Sequence, residues 1–181
     1  GLVDGSNGQV SLDVAPLFES VAALDAAGPT LTRLLADPIY RDHLAARGNR
    51  QVVMIGYADS NKESGIASSR WLLRRAQEAL LAACAEAGVH LLVFHGRGGG
   101  ISRGGSRTEA VVSSLPTAVA GGQLRVTEQG ETINDRYGLQ PITLRTFEQG
   151  LNTLALAVAG ERRETVKPDW QDAGPLLSDA T

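Results

Sequence analysis

The chain is 181 residues long, 43% apolar and 20% charged, with a formal net charge of −3, a make-up that supports one substantial globular core. Mild acidity argues against non-specific nucleic-acid binding, which needs a basic face, and no apolar run approaches the roughly 20 residues that cross a bilayer. The single cysteine, Cys84, rules out an internal disulfide and fits a reducing compartment. The N-terminus lacks the basic and apolar regions of a signal peptide, so a soluble, cytoplasmic protein is expected.

Residues 1–8 read as a flexible leader, rich in Gly and polar side chains. In Gln9–Ala15 the residues Val10, Leu12 and Val14 alternate, the period of a short strand. A helix is predicted over Phe18–Ala27, stopped by Gly28-Pro29, and two more over Thr30–Ala36 and Ile39–Ala46. Gln51–Tyr57 (QVVMIGY) is a nearly continuous apolar run, the pattern of a strand buried on both faces. A polar loop over 58–65 leads into a long helix, Ile66–Ala87, with Leu72, Ala76, Leu80 and Ala83 on one stripe and Gly88 at its end.

A third strand, His90–Phe94, empties into Phe94–Gly105 (FHGRGGGISRGG), which holds six glycines, two arginines and a histidine. A short helix near Arg107–Ser114, a strand over Leu124–Val126 and a helix over Leu144–Ala159 complete the series, with 160–181 read as a linker or loose tail. Strands alternating with helices predict an α/β fold, its parallel strands joined by helical crossovers.

In such a sheet all strand ends lie on one face. The residues after successive strands are Glu19, then Asp59 with Lys62, then His95, Arg97 and Arg103, then Glu128 and Glu131. Glycines let backbone N–H groups approach a ligand closely, and guanidinium forks suit phosphate or carboxylate oxygens, so the loop reads as an oxyanion site. Glu19 and Asp59 suit a hard divalent cation. Plainer readings stand beside these: Glu19 near a helix N-terminus, Lys62 solvated, His95 a hydrogen-bonded structural residue, the arginines paired with acidic neighbours, and Met54 core.

Several segments in order, DVAPLFES (Asp13–Ser20), IGYADSNKESG (Ile55–Gly65), FHGRGGGISRGG and LRVTEQGE (Leu124–Glu131), closely resemble phosphoenolpyruvate carboxylase, over about Val10–Val158. The resemblance implies part of a (β/α)8-type barrel, incomplete in this chain, from a parent enzyme that is a homo-oligomer. It implies that Glu19 and Asp59 bind Mg²⁺ or Mn²⁺ and that Lys62 lies near bicarbonate and carboxyphosphate. His95 and Arg97 then match the phosphate and carboxylation site. Arg103 matches an essential loop arginine that also serves the feedback inhibitor aspartate or malate. Met54 lines a pocket for CO₂, and Gly98 and Gly99 border the substrate.

The implied substrates are phosphoenolpyruvate and bicarbonate, with no nucleic-acid or membrane partner. Ser102 departs from the family's glycine pattern. Family enzymes are several times longer, so the chain alone is expected to be inactive. A non-catalytic module binding an acidic metabolite through Arg97 and Arg103, or one part of a split enzyme, are the alternatives.

Overall fold

A computed structural model describes residues 10–100, 105–116 and 123–159. Four parallel strands stand in the order β1-β2-β3-β4: Leu17–Phe18, Arg50–Gly56, His90–Gly96 and Arg125–Val126. Helices α1 (Val21–Asp25), α2 (Ala27–Ala36) and α3 (Pro38–Ala46) join β1 to β2, and α4 (Asp59–Glu86) joins β2 to β3. Helix α5 (Thr108–Ser113) precedes β4, and α6 (Gly130–Tyr137) and α7 (Gln140–Val158) follow it. The predicted α/β class with helical crossovers is therefore present. None of the described helices is long and apolar enough to cross a membrane.

The pleat sorts the side chains. Val53, Ile55 and Tyr57 belong with Val93 to the core cluster that packs on α1, α2 and α4 through Leu24, Leu31, Leu73, Ala76 and Leu80. Strand residues alternate between faces, so Met54, Gly56, Phe94 and Gly96 point the other way. β2 and β3 pair in register, Met54 with Phe94, Ile55 with His95 and Gly56 with Gly96. Gly28 permits a close helix crossing, because a Cβ there would stand 3.0 Å from that of Ala79.

Several boundaries differ from the sequence reading. The alternating stretch before Pro16 forms no strand over 11–16. Asp13 there is held by Arg47 at 2.7 Å and Arg50 at 3.3 Å; Val10 makes an isolated bridge, and the pairing of β1 with β2 starts where the Pro16 carbonyl accepts the Met54 N–H. Gly28-Pro29 does not stop a helix but lies in the first turn of α2, where a missing N–H leaves no bond unmade. The loop predicted over 58–65 is instead a helical turn, separated from the rest of α4 by Gly65 at φ 77°. Helix α6 was not anticipated. The leader and tail lie outside the described residues.

Candidate active site

Hydrogen bonds bind the end of β1 to the start of α4. The Ser60 N–H donates to the Glu19 carbonyl at 3.1 Å, the Ala58 N–H to Glu19 Oε1 at 3.3 Å, and the Val21 N–H to Glu63 Oε2 at 2.7 Å. Asp59 is thus fixed between two residues that both bond Glu19. The Glu19 side chain lies across Gly56, where any Cβ would overlap it. That contact explains why a glycine ends β2.

A groove of about 460 Å³ opens at the strand ends, bordered by Glu19, Met54, Gly56, Gly96, Arg97, Gly98 and Glu128. It draws on all four strand ends, the arrangement expected of the C-terminal face of a parallel sheet. Of the residues singled out in the sequence, Glu19, Met54, Arg97, Gly98 and Glu128 meet there. Asp59 adjoins through Ala58; its carboxylate is half-exposed and accepts from Lys62 Nζ at 3.0 Å, with Lys62 in solvent. Gly99 lies behind, its carbonyl where a Cβ on Gly105 would fall. Arg103 and Ser102 lie outside the described residues, as does the side chain of Glu131.

His95 is placed differently from a substrate-facing acid or base. It shares the helix-facing side with its register partner Ile55, is 1% exposed, and does not border the groove. Its Nδ1 lies 3.0 Å from the Tyr57 hydroxyl. Burial, then the charge of Arg97, pushes its pKa down to about 3, so the ring is neutral. Arg97 Nη2 donates to the Tyr57 hydroxyl at 3.1 Å, and its guanidinium lies 4.3 Å from the centre of that ring. Thr127 Oγ1 donates to the Arg97 carbonyl at 2.8 Å, tying β4 to the glycine loop.

A second brace holds the loop's far end. Arg136 Nη1 donates to Glu128 Oε1 at 2.8 Å and Nη2 to the Ser106 carbonyl at 2.9 Å. Tyr137 donates to the same carboxylate oxygen at 3.2 Å. Burial, then Glu128, holds the Tyr137 phenol above its ordinary pKa. Tyr57, Thr127 and Arg136 were not singled out from the sequence. Only Tyr57 carried a signal there, as a hydroxyl at the end of an apolar run.

For a hard cation, the donors fit. Glu19 borders the groove and Asp59 stands between the two residues that bond it; both are carboxylates, and Mg²⁺ commonly takes one or two carboxylates plus waters and substrate oxygens. Among the described residues no group of three or more His, Cys, Asp or Glu can hold a metal, so further ligands would come from water, substrate or additional chain.

The family model for phosphoenolpyruvate carboxylase matches residues 1–181. The chain belongs to the phosphoenolpyruvate carboxylase family. It is 52% identical over 180 residues to the phosphoenolpyruvate carboxylase of Xanthomonas oryzae pv. oryzae, covering 99% of this chain and 20% of that protein. It is 48% identical, with the same coverage, to that of Xanthomonas euvesicatoria pv. vesicatoria. Phosphoenolpyruvate carboxylase 2 of Chlamydomonas reinhardtii is 39% identical over 169 residues, 93% of this chain and 14% of that protein. The chain thus spans about a fifth of the length of these relatives or less.

Proposed function

We propose that this chain is the metal- and phosphate-binding segment of a phosphoenolpyruvate carboxylase, a cytoplasmic enzyme in which bicarbonate and phosphoenolpyruvate give oxaloacetate and phosphate. The observation that carries the reading is the groove in which carboxylate, guanidinium, thioether and glycine backbone converge from consecutive strand ends. Sequential parallel order favours a (β/α)8 barrel as the parent fold, since a doubly wound sheet would reverse its order part-way.

Glu19 and Asp59 would hold Mg²⁺ or Mn²⁺. The bound cation would neutralise charge on the phosphoryl group and on the enolate oxygen. In the reaction a bicarbonate oxygen attacks phosphorus and the bond from phosphorus to the enol oxygen breaks, giving carboxyphosphate and the enolate of pyruvate. Carboxyphosphate then releases phosphate and CO₂, and the enolate carbon bonds to CO₂. Arg97, with Arg103 from the same loop, offers fixed positive charge to the anions. The backbone at Gly98 and Gly99 lets the substrate approach.

Lys62 is assigned to bicarbonate and carboxyphosphate, which requires it to leave Asp59 once the cation is bound. Met54 forms part of a dry wall that keeps water from protonating the enolate, an event that would waste the step as pyruvate. His95 serves from behind the rim, through the groups it holds. Aspartate or malate would compete at the loop arginines, and a homo-oligomer is the assembly proposed.

The test is purified full-length protein carrying this segment, assayed for bicarbonate- and Mg²⁺-dependent oxaloacetate from phosphoenolpyruvate. Glu19→Gln should remove at least about 100-fold of that rate, on the scale of a lost transition-state electrostatic contact. Full-length protein that makes no oxaloacetate sinks the proposal. The isolated 181-residue chain is expected to make none.

A further inference from the structure

We propose that Tyr57 is a positioning residue that sets the guanidinium of Arg97 at the rim of the groove, using neutral His95 as its hydrogen-bond acceptor. The claim rests on Arg97 being an anion ligand, as in the function proposed above.

Hydrogen counting gives the direction of the chain. A guanidinium has donors only, so at 3.1 Å the Tyr57 oxygen must accept from Arg97 Nη2. The phenol's one proton is then free to point at His95 Nδ1, 3.0 Å away. We assign the neutral tautomer with its ring proton on Nε2, in which Nδ1 accepts from the phenol. A cationic imidazole would put a second N–H against the phenol oxygen and another charge beside Arg97. The burial and the arginine charge that hold His95 neutral therefore also keep this chain intact.

Tyr57 holds the arginine in two ways. Its ring face lies under the guanidinium at 4.3 Å, and its oxygen fixes the rotation of the fork. Thr127 pins the Arg97 backbone from the other side. Arg70, reaching from α4, lies 5.5 Å from the same ring centre. Its pKa is lowered by burial and then by Arg97. Two like charges lie around one ring, and the hydroxyl is a contact that holds the Arg97 guanidinium against that repulsion. At 3% exposure Tyr57 is buried on the helix-facing side and does not border the groove, so it acts through Arg97.

The experiment uses full-length protein with Mg²⁺, measuring the dissociation constant of phosphoenolpyruvate by calorimetry alongside turnover. Tyr57→Phe keeps the ring and removes the hydroxyl. It should weaken phosphoenolpyruvate binding roughly 10- to 100-fold, the span of one lost hydrogen bond to a charged group. The KM for bicarbonate should change much less, since Lys62 is the charge assigned to bicarbonate. In an Arg97→Ala background the same substitution should cost almost nothing, because the two act as one unit.

Phenol, but not benzene, should restore binding to Tyr57→Ala. Binding within twofold of wild type in Tyr57→Phe, an equal loss with and without Arg97, or rescue by benzene as good as by phenol would each overturn the proposal. Wild-type protein that binds phosphoenolpyruvate yet makes no oxaloacetate would instead defeat the carboxylase reading. The ratios of dissociation constants would then still decide the role of Tyr57.

Discussion

Gly56→Ala offers a test of the carboxylate site that leaves every proposed ligand in the sequence. A Cβ at Gly56 would lie 2.7 Å from the Glu19 Cβ and overlap its Cγ and Cδ. A methyl forced into a packed position costs about 1–3 kcal/mol. The strand can shed that strain most cheaply by swinging Glu19 off it, which also breaks the 3.3 Å bond from the Ala58 N–H. Its register partner Gly96 is the control. A Cβ there would meet the Met54 Cε at 3.0 Å and the Ile55 carbonyl at 3.2 Å, and the flexible thioether can give way. In the full-length protein, Gly56→Ala should weaken Mn²⁺ binding by roughly 10- to 100-fold, the scale on which misplaced metal ligands are felt. Gly96→Ala should leave it within about threefold on the same scale. The assay is titration of free Mn²⁺ by electron paramagnetic resonance. Equal Mn²⁺ affinity in wild type and Gly56→Ala would refute the assignment of Glu19 as a ligand.

Arg136→Ala should destabilise the protein by about 1–3 kcal/mol, since it strips partners from a partly buried carboxylate and from the Ser106 carbonyl. It should also lower kcat/KM for phosphoenolpyruvate; a lower melting temperature with unchanged kinetics would mean that the brace does not position the loop. With His95 held to about 3 against an ordinary 6.5, the unfolded chain takes up the proton first. Stability from this group is therefore complete above pH 6.5 and declines toward pH 3, by up to about 1.4 kcal/mol per unit. Melting temperatures between pH 7.5 and 5 should accordingly fall less steeply in His95→Asn, and parallel curves would contradict the burial argument. Met54→Ser should raise the share of turnover lost as pyruvate, read from the ratio of pyruvate to oxaloacetate.

The strands and the rim were legible because they follow from local rules. Apolar runs of strand length marked β2 and β3, and the rule that parallel strands end on one face anticipated that Glu19, Arg97 and Glu128 share one groove. What the runs concealed was parity. In QVVMIGY and HLLVFHG almost every residue is apolar, so no alternation announces which side faces the helices. Counting by twos from Val93 would have put His95 on the helix side, beside Ile55. Tyr57 was missed for the same reason, since the end of a buried run reads as packing. The Arg136 brace was beyond reach: its partners lie 8 and 30 residues away, and no local pattern joins them. Asp13 shows the reverse failure, where alternation was real but side-chain bonds from Arg47, Arg50 and Gln51 stand where a strand ladder was expected.

The two faces of the sheet explain why the site needs more chain than this. On the helix side Val53, Ile55 and Val93 are sealed, and there the Tyr57–His95–Arg97 chain has the dry surroundings it needs. On the groove side Met54 and Phe94 are only half-buried, and along α7 Leu144, Phe147 and Leu151 are 58%, 63% and 71% exposed. On the proposed reaction, an enolate beside Met54 would be open to water here, and protonation would compete with bond formation to CO₂. Glu19 and Arg97 thus border the groove within the described residues, whereas Met54 and Phe94 are left half-open there. Ligand binding by the rim and carboxylation should therefore separate experimentally, the first tracking Glu19 and Arg97, the second appearing only when the open face is covered.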